Sequence, residues 1–172
     1  MQRRVFLRSL SFISAAAAGA GLALWHWGDG RRTRPVQTRV FGSARRRKVI
    51  AAVMERMLPG AGAAGGIDYV EYWLARHPYD RWQRSFNLGA LYLSQQAVRR
   101  YRRPFVECSE SQQDALLDAL RRGAAQSRQF DGRGFFEKLM MLTLESYFGH
   151  PKYGGNRDQV GWKLAGWRWS NH

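Results

Sequence analysis

Phe135-Phe-Glu-Lys-Leu-Met-Met-Leu-Thr-Leu-Glu-Ser-Tyr-Phe148 is the stretch whose reading decides the fold class. It is strongly apolar, and Phe136, Leu139, Met140, Thr143 and Tyr147 recur at helical spacing. Upstream, Ser109 reads as an N-cap with Gln112 at the capping-box position. The helix it opens runs to Arg122, with Leu116, Leu117 and Leu120 inward. Gly132 to Gly134 read as a turn between the two. Further upstream, Tyr79, Trp82, Phe86, Leu93, Ala97 and Tyr101 mark the buried stripe of a long helix over about Tyr79 to Arg102. Arg84, Gln95, Arg99 and Arg100 fall on its wet side, and Pro104 ends it. A shorter helix is expected from Ile67 to Arg76, with Ile67, Val70, Trp73 and Leu74 on one face. His77-Pro78 breaks it.

The first helix of the set starts after Ser43, a plausible cap. Val49, Ile50, Val53, Met54, Met57 and Leu58 follow at helical spacing, and Pro59-Gly60 stops the run. Gly60 to Gly66 form a Gly/Ala loop. No segment alternates with period two, and no internal repeat is visible. The expected fold is all-α: a compact domain of about five helices over residues 43–172, an irregular Gly/Trp-rich C-terminal segment, and an N-terminal signal helix.

That signal is read from Arg3-Arg4-Val5-Phe6-Leu7-Arg8 and the weakly hydrophobic, Ala/Gly-rich run from Ser9 to Leu24. Paired arginines with Phe6-Leu7 at this spacing are the layout of a twin-arginine (Tat) export signal, residues 1–24. Arg3, Arg4, Phe6 and Leu7 are the targeting residues. The Tat translocase carries folded proteins, so the expected location is the periplasm, at the inner membrane. The run is short of the roughly 20 residues that span a bilayer. It is either cut early or kept as a marginal anchor, and cleavage is slightly favoured. Residues 25–42, with Arg31, Arg32, Arg34, Pro35 and Arg39, read as an extended basic linker.

The chain carries 28 basic against 13 acidic residues, a net charge of +15, and nearly every cation is arginine. Such a balance first suggests nucleic acid, which the export signal argues against. An acidic partner protein, an anionic membrane surface and a merely Arg-rich composition stay open. Clusters at Arg45 to Lys48 and Arg99 to Arg103 carry the membrane or anionic-polymer reading. One cysteine, Cys108, excludes an internal disulfide and a self-contained cysteine-ligated cluster. No C-x-x-C-H is present for covalent haem.

Beyond the last long helix comes Gly149-His-Pro-Lys-Tyr-Gly-Gly-Asn-Arg-Asp158, then Gly161-Trp162-Lys163 and Gly166-Trp167. Gly154-Gly155 and Asn156 allow backbone angles closed to most residues. Trp162, Trp167 and Trp169 are anchors of the kind found in interface cores. Tyr153, Gly154, Gly155, Asn156, Arg157, Trp162 and Trp167 are therefore the candidate partner-binding residues. The competing reading has the Tyr-Gly-Gly-Asn turn and Trp162 packing on their own helices. For Trp167 and Trp169 partner contact is favoured.

This block, together with Met57-Leu-Pro-Gly60 and Phe135-Phe-Glu-Lys-Leu139, resembles the gluconate 2-dehydrogenase subunit 3 family over about Lys48 to Trp167. Relatives commonly read Gly-hydrophobic-Pro-Gly where this chain has Gly166-Trp-Arg-Trp169. The resemblance implies a small, non-catalytic subunit that supplies the export signal and helps a large subunit mature. The implied large subunit is a dehydrogenase of the glucose-methanol-choline class, which binds FAD and does the chemistry. It also implies, in many such complexes, a cytochrome subunit with haem c.

No cofactor or metal is expected in this chain. His26, His77, His150 and His172 lack a second histidine at metal-ligand spacing. Glu137 and Glu145 lie about two helical turns apart, a spacing that suits ion pairing with the arginine-rich surface better than acid–base work. The Gly60 to Gly66 loop follows a helix and has no Walker lysine. The substrate of the complex is not written in this chain.

Overall fold

A computed structural model describes residues 40–167. Among the described residues six α-helices carry the fold: α1 (Ala44–Met57), α2 (Gly66–Leu74), α3 (Gln83–Tyr101), α4 (Glu110–Arg121), α5 (Gly132–Phe148) and α6 (Val160–Leu164). Among the described residues there is no strand, only an isolated bridge between Gln126 and Asp131. The targeting residues Arg3, Arg4, Phe6 and Leu7, and Trp169, lie outside the described residues.

α5 is the hub. It packs against each of the other five helices. Phe135, Phe136, Leu139, Leu142, Thr143, Ser146 and Tyr147 are all buried, on more than one side of the helix, and an all-round apolar helix belongs in the middle. Two buried hydroxyls are satisfied within it: Thr143 donates to the Leu139 carbonyl (2.7 Å) and Ser146 to that of Thr143 (2.7 Å). α1 lays Val49, Ile50, Val53, Met54 and Met57 into the same core.

Local signals set most helix ends. The Ser43 hydroxyl caps α1 by accepting from the Arg46 amide. Ser109 and Gln112 make the expected capping box of α4. The Glu55 carboxylate accepts from the Gly60 and Gly62 amides (2.7 and 3.0 Å), pinning the Gly/Ala loop back on α1.

Three expectations are corrected. The long helix does not start as α-helix at Tyr79: Tyr79–Trp82 is a 3₁₀ turn, and α3 begins at Gln83. Gln83 Nε2 donates to the Leu74 carbonyl (2.7 Å), so it ties the end of α2 to the start of α3. Gly132 to Gly134 are not a turn but the first residues of α5, because Asp131 caps the helix by accepting from the Gly134 amide (2.9 Å). That hydrogen bond, with one from Gln126, holds the Asp131 carboxyl below the usual range. At the other border, Val40 and Phe41 belong to the core and not to a solvated linker. Asn87 Nδ2 donates to the Val40 carbonyl (2.8 Å) and fixes them there.

No described helix is long and apolar enough to cross a membrane.

Candidate functional site: the glycine–tryptophan clamp and its aromatic edge

The last carbonyls of a helix have no partner inside it. At the end of α5 they are taken by the loop that follows. The Asn156 amide donates to the Ser146 carbonyl (2.6 Å), its Nδ2 donates to that of Gly149 (3.0 Å), and its Oδ1 accepts from the Gly161 amide (2.9 Å). Trp162 Nε1 donates to the Phe148 carbonyl (2.8 Å). Asn156 is completely buried, with a left-handed φ of 45°, a conformation Asn tolerates better than most residues. Its backbone amide and both side-chain polar atoms are committed.

The close approach explains the glycines. A Cβ on Gly155 would overlap the Ser146 carbonyl oxygen, and one on Gly161 would overlap that of Tyr147. The loop thus lies flat on the end of α5 only if both positions lack a side chain.

Arg157 ties the clamp to the rest of the domain. Its amide donates to the Ala64 carbonyl (3.2 Å), and its guanidinium meets Asp68 (2.6 Å). Asp68 also binds Arg47 (2.5 Å), which reaches Glu71 (2.8 Å). These pairs are half-exposed, so each contributes about 0–1 kcal/mol; their value is in linking the loop to α1 and α2.

A continuous aromatic wall borders the clamp. Ring centroids are 5.7 Å apart for Trp73 and Tyr79, 6.3 Å for Trp73 and Tyr153, and 6.4 Å for Tyr153 and His150. They are 5.5 Å apart for His150 and Trp162, and 4.6 Å for Trp162 and Trp167. Burial first, then Lys152, pushes the His150 imidazole below its usual range. Behind the wall, burial pushes the Glu145 carboxyl up. It faces the Tyr69 hydroxyl at 3.5 Å, whose own ionisation is pushed far up by burial and by Glu145.

The candidate partner-binding residues therefore divide. Gly155, Asn156 and Trp162 are buried and hold the domain together. Tyr153 is half-buried, while Gly154 and Arg157 are exposed. Trp167 keeps half its surface in water, with its ring packed on Trp162. Two further side chains of the segment, not singled out from sequence, are exposed: Phe148 by 40% and Leu164 by 69%. Phe148 was not legible as surface, because it continues the apolar run of its helix, and Leu164 fell in a segment read as irregular. Glu137 pairs with Arg133 on the surface of α5. Glu145 is not paired with any arginine among the described residues, contrary to the ion-pair expectation for it. No group of three His, Cys, Asp or Glu side chains converges among the described residues.

Fold and site together define an all-α domain closed by a C-terminal cap that displays an aromatic edge. The gluconate 2-dehydrogenase subunit 3 model matches residues 44–168, all six helices and the cap, and the chain belongs to that family. Membership implies association with a dehydrogenase catalytic subunit. No curated protein and no solved structure matches the chain.

Proposed function

We propose that the chain is the small, non-catalytic subunit of a periplasmic, inner-membrane dehydrogenase of the gluconate 2-dehydrogenase type. Its FAD resides in the large subunit, a flavoprotein of the glucose-methanol-choline class; haem c, where a cytochrome subunit takes part, resides there. The family match across the entire helical domain carries this reading. The exposed Phe148, Leu164 and Trp167 offer the large subunit apolar anchors at the C-terminal end of the domain, with Tyr153 and Arg157 in the same segment. Aromatic and arginine side chains dominate the energetics of such interfaces. The clamp shapes that edge, which assists maturation of the flavoprotein by offering a rigid surface. The Arg3-Arg4 signal then takes the folded pair through the Tat translocase.

The test is purification of the tagged full-length chain from the native membrane fraction at about 0.5 M salt, where exposed charge pairs are screened. A stoichiometric flavoprotein with a flavin spectrum is expected. A lone, colourless chain overturns the reading in favour of a free-standing basic protein that binds the membrane surface or an anionic polymer.

A further inference from the structure

The two arginine-rich clusters at Arg45 to Lys48 and Arg99 to Arg103 are about 50 residues apart in sequence, yet they meet. α1 and α3 pack side by side, and between them and the 3₁₀ turn Phe105–Glu107 runs a groove of about 560 Å³. Its floor includes Val49 and Phe105. Leu91, Val98 and Val106 line its walls and are 38%, 47% and 43% exposed. Arg45, Lys48, Arg99 and Arg102 stand around it, and among the described residues no acidic side chain lines it.

Charge is segregated to make this rim. Arg47, Arg56 and Arg157 spend their charge on Asp68, Glu71, Glu110 and Asp114. The four rim cations form no ion pair among the described residues. Unspent cations around an apolar trough complement an occupant that is apolar on one side and anionic at its edges. The α3 wall from Leu91 to Arg102 spans about 16 Å at 1.5 Å per residue, the length of a three-turn helix. A flat bilayer would leave the trough unfilled, and among the described residues no Trp or Tyr, the usual interface anchors, lines it.

We propose that this groove seats an acidic amphipathic helix of the dehydrogenase catalytic subunit. The helix lies apolar side down on Leu91, Val98 and Val106, with its carboxylates against Arg45, Lys48, Arg99 and Arg102. The mode is a helix in a groove, on a face built by α1 and α3 and separate from the C-terminal aromatic edge. It rests on the accessory-subunit reading and adds a second, electrostatically steered contact to it.

The experiment uses the full-length chain purified with its flavoprotein, and two variants of exposed residues whose side chains make no described hydrogen bond or ion pair: Val98→Asp, and Arg45→Glu with Arg99→Glu. Val98→Asp is expected to weaken the complex about tenfold at both low and high salt. The charge reversal is expected to weaken it about tenfold or more at about 0.05 M salt, and much less at about 0.5 M. Benzophenone attached to Val98→Cys, with the labelled wild type controlling for Cys108, should cross-link to a flavoprotein segment with acidic and apolar residues at helical spacing. If both variants hold the flavoprotein as tightly as wild type does, the groove proposal falls and the accessory-subunit reading stands. If wild type holds no flavoprotein, both fall. Phosphatidylglycerol vesicles bound by wild type and lost with Val98→Asp, while the complex is unchanged, overturn the proposal in favour of a lipid surface.

Discussion

The ring of Phe135 occupies the space that a side chain on Gly89 would need: a Cβ built there would lie 2.5 Å from Phe135 Cζ. Phe86, one turn earlier on α3, meets the same ring edge-on with centroids 5.5 Å apart. Here α3 touches the hub helix. In an exposed helix, Gly→Ala stabilises by about 1 kcal/mol. At Gly89 the sign reverses, because a rigid aromatic ring must move. Gly89→Ala should destabilise by about 1–3 kcal/mol, as overpacking does. Urea unfolding checks it, and a gain in midpoint would refute the packing account.

Asn156→Ala should cost about 2–4 kcal/mol. It strips two side-chain hydrogen bonds from a buried site and leaves the Gly149 carbonyl and Gly161 amide unsatisfied. Thermal melting of the isolated chain should show it without any partner present. A melting temperature equal to wild type would mean that the loop is not held through this residue.

Two tryptophans a few residues apart should behave oppositely. Trp162 is buried and bonded to the Phe148 carbonyl, so Trp162→Ala should lower stability by about 3–5 kcal/mol. Trp167 is half-exposed. Trp167→Ala should leave stability within about 1 kcal/mol and weaken flavoprotein binding about tenfold or more. Calorimetry and a binding titration on each variant separate the effects.

Glu145 supplies a pH dependence with a defined sign. Burial raises its folded-state pKa, so the folded form holds its proton more tightly than the unfolded chain does. Its favourable contribution is complete below the unfolded value of about 4.3 and is lost as pH rises through the higher folded value. Glu145→Gln stays neutral throughout. The variant should therefore gain stability relative to wild type as pH rises above about 4.3. His150, whose pKa is lowered by burial, acts in the opposite direction in both proteins and cancels in the difference. Denaturation across that range decides, and a flat difference would place the Glu145 carboxylate in water.

Arg3→Lys with Arg4→Lys should strand both the chain and its flavoprotein in the cytoplasm. Fractionation with a periplasmic dehydrogenase assay reads this directly, and normal periplasmic activity would sink the joint-export proposal.

The five long helices were legible because their signals are local: a Ser43 or Ser109 cap, a Pro59 or Pro104 stop, and apolar residues at helical spacing between. The misread ends were also local contests. Asp131 wins Gly132 to Gly134 for α5 with a single side-chain bond, where glycine content suggests a turn. The inward turn of Asn156 was one of two open readings, since two of its partners are the Ser146 and Gly149 carbonyls, left open only because α5 ends where it does. The groove was hidden for a different reason. Its two arginine clusters look like separate solvated runs until α1 and α3 lie side by side.

The clamp also bears on the order in which the chain is made. The carbonyls at the end of α5 stay open until Asn156 and Trp162 emerge, so the hub helix is sealed only after all of it has left the ribosome. A chain that stops before Asn156 would keep α1 to α5 and still present a raw helix terminus and an uncovered Tyr147. Frayed helix ends are where proteolysis concentrates, so the same few hydrogen bonds that close the fold also shield the hub helix from nicking.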